Sequence, residues 1–309
     1  MEIISCSEVT KKFGNYTALN SINLEIPKGQ IFGLLGPNGA GKTTFIRIIN
    51  QITMPDSGSI IFNGHKMSPK DVESIGYLPE ERGLYKKMKV GEQAIYLARL
   101  KGMSTATATK ELKEWFIKFG IQAWWNKKIE ELSKGMAQKV QFITTVLHKP
   151  DLLILDEPFS GFDPVNVQLI RNELLKMKEN GTTIILSTHN MESVEELCDN
   201  IALINKSNLI ITGEVNKIRH EYGNNQVEVI YRASDSIKEY IKESTDTPFT
   251  IASDEINKDA RRAILNVNKE STNSEILGLL IKNIDIISYQ ELIPRMNDIF
   301  IKLVDESSK

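Results

Sequence analysis

The chain has 309 residues, 41% of them hydrophobic and 25% charged, with a formal net charge of −2 at pH 7. Such a chain can bury one or two substantial cores, which excludes a largely disordered protein. Its 38 basic and 40 acidic residues are balanced, so the composition gives no support for a nucleic-acid partner.

Two further absences narrow the class of protein. No apolar run reaches the 18 or more residues of a membrane span, and the first residues lack a basic leader with an apolar core. Cys6 and Cys198 lie far apart and form neither a metal-type pair nor a disulfide framework, which fits a reducing cytosol. We therefore expect a cytoplasmic chain.

The first half of the sequence begins with β-type segments and continues with helical ones. Turn residues separate short apolar strands predicted at 3–9, 21–26, 30–35 and 59–62. Apolar positions at helical spacing then predict helices within 90–120 and over about 133–148. This part indicates a β-rich region followed by a helical insertion, at about 84–148.

Strands and helices alternate in the next part of the chain. The spacing predicts continuous apolar strands at 151–155, 182–187 and 201–205, with helices at 164–180 and 191–198 between them. Fully apolar strands joined by helices are typical of a parallel sheet covered on both faces. The fold class is therefore α/β, with a mostly parallel core sheet.

The character of the sequence changes after Gly223. The pattern predicts strands at 227–231 and 263–267, and helices at 236–243, 275–282 and 294–304. We expect two domains, 1–222 and 224–309, of which the second is a small α+β appendage.

The strongest chemical signal is a phosphate-binding loop. An apolar strand leads into the eight residues Gly36, Pro37, Asn38, Gly39, Ala40, Gly41, Lys42 and Thr43, and a helix follows. Glycines allow backbone N–H groups to converge on an anion, and the helix N-terminus adds partial positive charge. Lys42 brings a charge to the outer phosphates, and the Thr43 hydroxyl is a candidate Mg²⁺ ligand. The sequence thus predicts a P-loop nucleotide site.

A second signal is a pair of acids at the end of an apolar strand. The segment Leu-Leu-Ile-Leu ends in Asp156 and Glu157. A carboxylate at such a strand tip can hold Mg²⁺ beside the phosphates, and the next carboxylate can orient a water for attack on the γ-phosphorus. Solvated acids capping a strand are the alternative, which the phosphate loop makes less favourable.

A third segment is Leu132-Ser133-Lys134-Gly135-Met136, at the start of a predicted helix. Ser133 fits the N-cap of that helix, so a purely structural role accounts for the serine. Its position between the phosphate loop and the acidic strand suggests a functional role as well. Both interpretations remain open at this point.

Six motifs in order make the chain resemble the ATP-binding subunit of an ABC transporter, over roughly residues 1–220. They are the phosphate loop, the signature segment 132–136, Asp156 with Glu157, the loop Ser160-Gly161-Phe162-Asp163, His189 after Ser187-Thr188, and the aromatic Phe13. The resemblance implies a P-loop NTPase with an antiparallel β subdomain, ATP and Mg²⁺ as cofactors, and ATP hydrolysis as the activity.

The resemblance also assigns roles to individual residues. Glu157, His189 and Lys42 are the implied catalytic residues, and Thr43, Glu80 and Asp156 are the implied Mg²⁺ ligands. ATP would further contact Phe13, residues 36–43 and Thr44, with Ser133 and Gly135 contributed by a second copy. Tyr16 is an alternative to Phe13 for stacking on adenine.

The sequence departs from the family pattern at three positions. Glu80 stands where the family has glutamine, Lys134 replaces a glycine of the signature and Met136 replaces its glutamine. A charged oxygen at position 80 would hold Mg²⁺ more firmly, while adding negative charge near the phosphates. Ser133 and Gly135 keep the family's residue types.

The implied partners are a multi-span membrane permease subunit and a second ATP-binding subunit, expected to be an identical copy, with no nucleic acid. The protein would then be cytoplasmic and peripheral on the inner face of the cell membrane. Features such as Lys134 and the segment Leu-Pro-Glu-Glu-Arg-Gly-Leu-Tyr resemble the NatA-type branch of sodium and drug exporters.

Three other classes of protein are alternatives to this assignment. A soluble ABC ATPase not involved in transport is the main alternative, although such proteins usually carry tandem units or coiled-coil insertions. A P-loop GTPase is less favoured because Asn205-Lys206-Ser207-Asn208 lacks a guanine-reading Asp. A nucleotide-binding module without turnover is disfavoured by Glu157.

Overall fold

The computed structural model describes residues 1–80, 83–241, 247–257, 260–268 and 270–307. The chain forms two compact units, Met1–Val215 with Leu303–Lys309, and Asn216–Lys302. The boundary between the units lies about eight residues before Gly223, the position at which the change in composition predicts it. The last residues of the chain, from Leu303, belong to the first unit.

The first unit has ten strands among the described residues. They are β1 Glu2–Phe13, β2 Tyr16–Pro27, β3 Ile31–Leu35, β4 Ser57–Phe62, β5 His65–Lys66, β6 Ile75–Leu78, β7 Leu152–Asp156, β8 Thr183–Ser187, β9 Asn200–Asn205 and β10 Asn208–Glu214. The helices are α1 Lys42–Ile49, α2 Val90–Leu100, α3 Thr105–Lys118, α4 Lys134–Val146, α5 Pro164–Glu179, α6 Met191–Leu197 and α7 Val215–Glu221, which runs into the second unit.

The core sheet has the order β10-β9-β3-β8-β7-β6. All neighbouring strands are parallel except β10, which is antiparallel to β9. Every residue of β3, β7 and β8 is buried, as expected for strands covered on both faces. The mostly parallel sheet is confirmed, whereas β6 and β10 were not predicted from the sequence.

A separate antiparallel sheet has the order β2-β1-β4-β5. It shares one buried apolar cluster with the inner face of α1, to which Phe45, Ile46, Ile48 and Ile49 contribute. This cluster fixes the start of α1, and with it the loop that joins β3 to the helix.

The helical insertion contains α2, α3 and α4. Gly102 separates α2 from α3, and Ser104 caps α3 by accepting the Thr107 N–H at 3.1 Å. Helices α3 and α4 pack through an aromatic contact between Trp115 and Phe142, whose ring centroids are 6.2 Å apart. Gly91 admits the Trp125 ring so closely that a Cβ at Gly91 would lie 2.6 Å from it.

The second unit is an α+β domain. Its elements are β11 Gln226–Arg232, α8 Ile237–Tyr240, β12 Phe249–Asn257, β13 Ala260–Val267, α9 Asn273–Leu280, β14 Asp285–Leu292 and α10 Met296–Glu306, of which the last turn belongs to the first unit. The strands form an antiparallel sheet of order β12-β13-β11-β14 over a core that includes Tyr231 and Phe249.

Sequence patterns predicted the two central strands of this sheet and missed the two edge strands, β12 and β14. The edge strands carry mixed polar and apolar residues, as is common where one side of a strand is unpaired. The helix predicted at 236–243 is shorter in the structure, and residues 242–243 of that prediction lie outside the described residues.

Within the described ranges, no helix combines the length and the apolar character that crossing a membrane requires.

Candidate active site

The loop between β3 and α1 has the backbone geometry of an anion cradle. Gly36, Gly39 and Gly41 have φ angles of 149°, 78° and 119°, a region that favours glycine. A Cβ at Gly36 would lie 2.1 Å from the Ile204 carbonyl oxygen, and one at Gly41 would lie 2.4 Å from that of Ala18. Gly39 instead faces open space, so the loop is closed on its inner side and accessible on its outer side.

The side chains of this loop divide between the core and the surface. Ala40 is buried, and its carbonyl accepts the Ser207 N–H at 3.1 Å, which ties the loop to the turn after β9. Asn38 and Thr43 are exposed, and Pro37 and Thr44 are half-buried. Thr43 and Thr44 lie in the first turn of α1, as the sequence predicts.

Lys42 lies at the centre of the loop. Its ammonium donates to the Gly36 carbonyl at 2.6 Å and to the Pro37 carbonyl at 3.1 Å. Burial lowers the pKa of Lys42, and the nearby carboxylates of Asp156, Glu157 and Glu80 oppose that shift. The Lys42 ammonium therefore lies near three carboxylates. A bound phosphate group would add further negative charge, which favours the protonated form of the lysine.

The two candidate adenine-stacking aromatics face each other across the β1–β2 hairpin, where Phe13 pairs with Tyr16. The Tyr16 hydroxyl donates to the Gly39 carbonyl at 3.0 Å. Phe13 is about half exposed, and the Lys11 ammonium lies 5.4 Å from its ring centroid. Both rings are about half exposed, and the Tyr16 hydroxyl is in addition bonded to the phosphate loop.

Asp156 ends β7 and pairs in register with Ser187 at the end of β8. The Asp156 side chain is 7% exposed. Burial raises the pKa of its carboxyl, as do the nearby Glu80 and Glu157, while the Ser187 hydroxyl and the Lys42 ammonium act in the opposite direction. A cation bound beside this carboxylate would stabilise its ionised form.

Glu157 has an unusual backbone conformation, with φ 48°. Left-handed conformations are costly for residues with a Cβ and concentrate at functional sites. Its N–H donates to the Ser187 carbonyl at 2.9 Å, which fixes this turn to the end of β8. The strained turn directs the Glu157 side chain toward the residues that follow β8.

Thr188 and His189, which follow β8, hydrogen-bond to both oxygens of the Glu157 carboxylate. The His189 N–H donates to Oε1 at 2.9 Å, and Nδ1 of the same histidine lies 2.6 Å from that oxygen. The Thr188 hydroxyl donates to Oε2 at 3.1 Å. Thr188 is 2% exposed and was not singled out in the sequence; its place directly before His189 was the only available signal.

The acids line one cleft of about 320 Å³. Its lining includes Glu80, Asp156, Glu157 and Lys134. Gln138 also lines it and is a second residue that sequence reasoning missed. Glu80 is exposed, so it can approach a ligand in this cleft without a large desolvation cost.

Ser133 and Gly135 do not line this cleft. Ser133 caps α4, and its hydroxyl accepts the Met136 N–H at 3.3 Å. The structural role left open by the sequence is therefore present. A Cβ added at Gly135 would meet no atom within 4 Å, so the backbone there is open to a partner.

The donor set fits a nucleotide with a bound divalent cation. No group of three or more His, Cys, Asp or Glu side chains within the described segments could hold a metal ion. A Mg²⁺ here would therefore need phosphate oxygens and water in addition to Thr43 and Asp156, as is usual for Mg²⁺ with nucleotides. The glycine cradle next to the half-buried Lys42 supplies the matching site for the phosphates.

Comparison with known proteins agrees with this geometry. Residues 19–160 match the family model described as "ABC transporter", and residues 213–304 match "ATP-binding protein DrrA1-3-like, C-terminal domain". The chain is 50% identical to YhaQ of Bacillus subtilis (strain 168), an "Uncharacterized ABC transporter ATP-binding protein", over 74% of this chain and 76% of that one. The chain belongs to the ABC transporter ATP-binding proteins.

More distant relatives of this ABC ATP-binding protein have names that refer to transport of lantibiotics or bacitracin. The chain is 34% identical to the "Lantibiotic transport ATP-binding protein SrtF" of Streptococcus pyogenes, over 73% of this chain and 97% of that one. It is 35% identical to the "Bacitracin transport ATP-binding protein BcrA" of Enterococcus faecalis, over 67% and 68%.

Solved structures show the same fold as this ABC ATP-binding protein. One, titled "Structure of ATP binding subunit of ABC transporter", has a TM-score of 0.68 and 27% identity, over 71% of this chain and 93% of that one. A nucleotide-free ATP-binding cassette from an ABC transporter, at 22% identity, has a TM-score of 0.61 over 69% and 92%. The expected P-loop NTPase fold is confirmed.

Proposed function

We propose that this chain hydrolyses ATP and powers export through a separate membrane permease subunit. The observation that carries the proposal is the direct pairing of Glu157 with His189 beside the phosphate loop. The acid that follows β7 and the histidine that follows β8 would act together on the terminal phosphate of a nucleotide held by Lys42.

The residues would divide the chemistry between them. Glu157 orients or deprotonates the attacking water, and His189 contacts the γ-phosphate. Lys42 and the first turn of α1 offset the charge that develops on the phosphate oxygens. When bound by Thr43 and Asp156, with Glu80 nearby, Mg²⁺ would supply further charge neutralisation. Phe13 would stack on the adenine ring.

We propose that the complete site contains two copies of the chain. Ser133 is exposed, and a Cβ added at Gly135 would meet no atom within 4 Å, so both residues are accessible to the nucleotide of a second, identical copy. The γ-phosphate would then contact both copies. ATP binding would favour the closed pair, and hydrolysis would favour opening, because it removes those contacts.

The transport assignment rests on the relatives. Lantibiotic and bacitracin transport stand in the names of two of them, and the C-terminal match is to DrrA1-3-like proteins. We propose a peripheral location on the inner face of the cell membrane, held by the permease. The finer placement in the NatA-type branch is part of this proposal.

Two measurements test the proposal. The purified chain should release phosphate from ATP with Mg²⁺, and GTP should be a poorer substrate. The tagged chain, expressed in the organism that encodes it, should be recovered from membranes together with a bound multi-span protein. ATP turnover together with a wholly soluble, permease-free chain would contradict the transport role and would favour a soluble ABC ATPase.

A further inference from the structure

The loop that follows Glu157, residues 158–163, is tightly folded. Its turn is closed by the Ser160 N–H, which donates to the Glu157 carbonyl at 3.2 Å. At its far end, the Asp163 carboxylate accepts the Asn166 N–H at 3.0 Å and caps α5. The conformation of Glu157 therefore depends on the position of Ser160, three residues away.

The first turns of α4 lie directly on this loop. The Gln138 side-chain amide donates a hydrogen bond to the Ser160 carbonyl. Gly161, with φ 80°, allows the close approach: a Cβ there would lie 3.0 Å from Cε and 3.2 Å from Nζ of Lys134. The contact thus joins two helix residues, one turn apart, to two consecutive loop residues.

We propose that Lys134 and Gln138 are positioning residues that hold the 158–163 loop and, through it, the Glu157 carboxylate of the same chain. This proposal rests on the proposed function of Glu157. Lys134 directly follows Ser133, so the contact also links the segment that would reach the second copy to the hydrolytic acid. Neither residue touches the phosphate loop among the contacts that the structure describes.

A purely stabilising role accounts poorly for these two side chains. Lys134 is exposed, and holding a long exposed side chain in one place costs conformational entropy. The Gln138 amide donates to a backbone carbonyl of the loop, a directional contact that fixes the loop conformation in addition to any effect on stability.

The main test combines hydrogen exchange with steady-state kinetics of the full-length chain. Gln138→Met keeps the side-chain length but removes the N–H donor. We expect backbone amides within 158–163 to exchange about tenfold faster in the nucleotide-free chain, and kcat to fall about fivefold to tenfold, as for loss of one hydrogen bond. KM for ATP should change less than twofold, since Lys42 and its loop are untouched.

Lys134 is tested with a conservative rescue. Lys134→Ala should give the same pattern as Gln138→Met, and Lys134→Arg should restore both the exchange rates and kcat, because its aliphatic stem can still cover Gly161. Lys113→Ala, which removes an exposed lysine from α3, is the matched control and should change neither readout.

The two readouts distinguish failure of this proposal from failure of the proposed function. Unchanged exchange in 158–163, or a changed KM with an unchanged kcat, would overturn the positioning role. If the wild-type chain does not hydrolyse ATP, the proposed function fails, whereas the exchange data still decide whether α4 holds the loop. Unfolding midpoints measured by tryptophan fluorescence identify any variant that fails to fold.

Discussion

The Glu157 carboxylate holds His189 at two points, accepting its backbone N–H at 2.9 Å and lying 2.6 Å from its Nδ1. The ring is thereby fixed through one nitrogen, while the side chain remains 78% exposed. Nε2, the other ring nitrogen of His189, can face solvent or a ligand. The acid and the histidine form one unit, because neither can move far without breaking these contacts.

Glu157→Gln should separate ATP binding from hydrolysis. The amide keeps the size of the side chain but cannot accept a proton, so turnover should fall by about 100-fold or more. The dissociation constant for ATP, measured by titration calorimetry, should change little. Glu179→Gln, at the exposed end of α5, is the control. Unchanged turnover in Glu157→Gln would remove this residue from catalysis.

His189→Ala should lower kcat by about 100-fold through loss of a donor to the transferring phosphoryl group. Because His189 and Glu157 act as a unit, the double variant His189→Ala/Glu157→Gln should be no slower than the slower single variant. Single-turnover phosphate release is measured for the wild type, the two single variants and the double variant. Additive losses would show that the two side chains act independently.

Gly36→Ala should damage the phosphate loop, whereas Gly39→Ala should be tolerated better. The new Cβ at position 36 would clash with the Ile204 carbonyl oxygen, and we expect a loss of roughly 2–4 kcal/mol in the free energy of unfolding. At position 39 only the φ of 78° opposes alanine, at a cost of roughly 1 kcal/mol. Chemical denaturation followed by tryptophan fluorescence compares the two; equal losses would contradict the geometry.

Tryptophan fluorescence reports on the first unit, because Trp115, Trp124 and Trp125 all lie in the helical insertion. The phosphate loop belongs to the same unit, so we expect a loss of stability at Gly36 to lower the unfolding midpoint that these residues report.

Glu173→Gln should weaken the attachment of α3 to α5. The Glu173 carboxylate is 4% exposed, pairs with Lys118 of α3 and lies 3.2 Å from the Lys176 ammonium. Removing a buried charge between two lysines should cost about 1–3 kcal/mol. Glu111→Gln is the matched control, since its pair with Lys149, a lysine 72% exposed, should contribute less than about 1 kcal/mol. A larger effect at Glu111 would refute this ranking.

Stability should fall in mild acid because of His148. Burial lowers the pKa of His148 to about 4, and the nearby Lys101 ammonium adds to this shift. Between about pH 6.5 and pH 4 the unfolded chain binds the proton that the folded chain excludes, so stability decreases as the pH falls, by about 1–3 kcal/mol.

The test compares unfolding midpoints of the wild type with those of His148→Gln over pH 4–7. The variant should lose less stability over this range, since its amide does not titrate. Parallel curves for the two proteins would exclude His148 as the source.

Local features of the site could be predicted from the sequence. The Gly36–Thr43 loop, Asp156 with Glu157, and the Ser133 cap were each readable because all their residues lie within a few positions of one another. The fully apolar strands β3, β7 and β8 predicted the parallel sheet for the same reason, since burial on both faces leaves a local pattern.

Which of these local features lie in contact depends on the folding of the whole unit and could not be predicted from local patterns. Glu157 and His189 are 32 residues apart, Gln138 and Ser160 are 22 apart, and Lys118 and Glu173 are 55 apart. Such pairs depend on strand order and helix packing, which impose no period on the sequence. The edge strands β12 and β14 were missed for a related reason, because pairing with a distant neighbour, rather than their own composition, makes them strands.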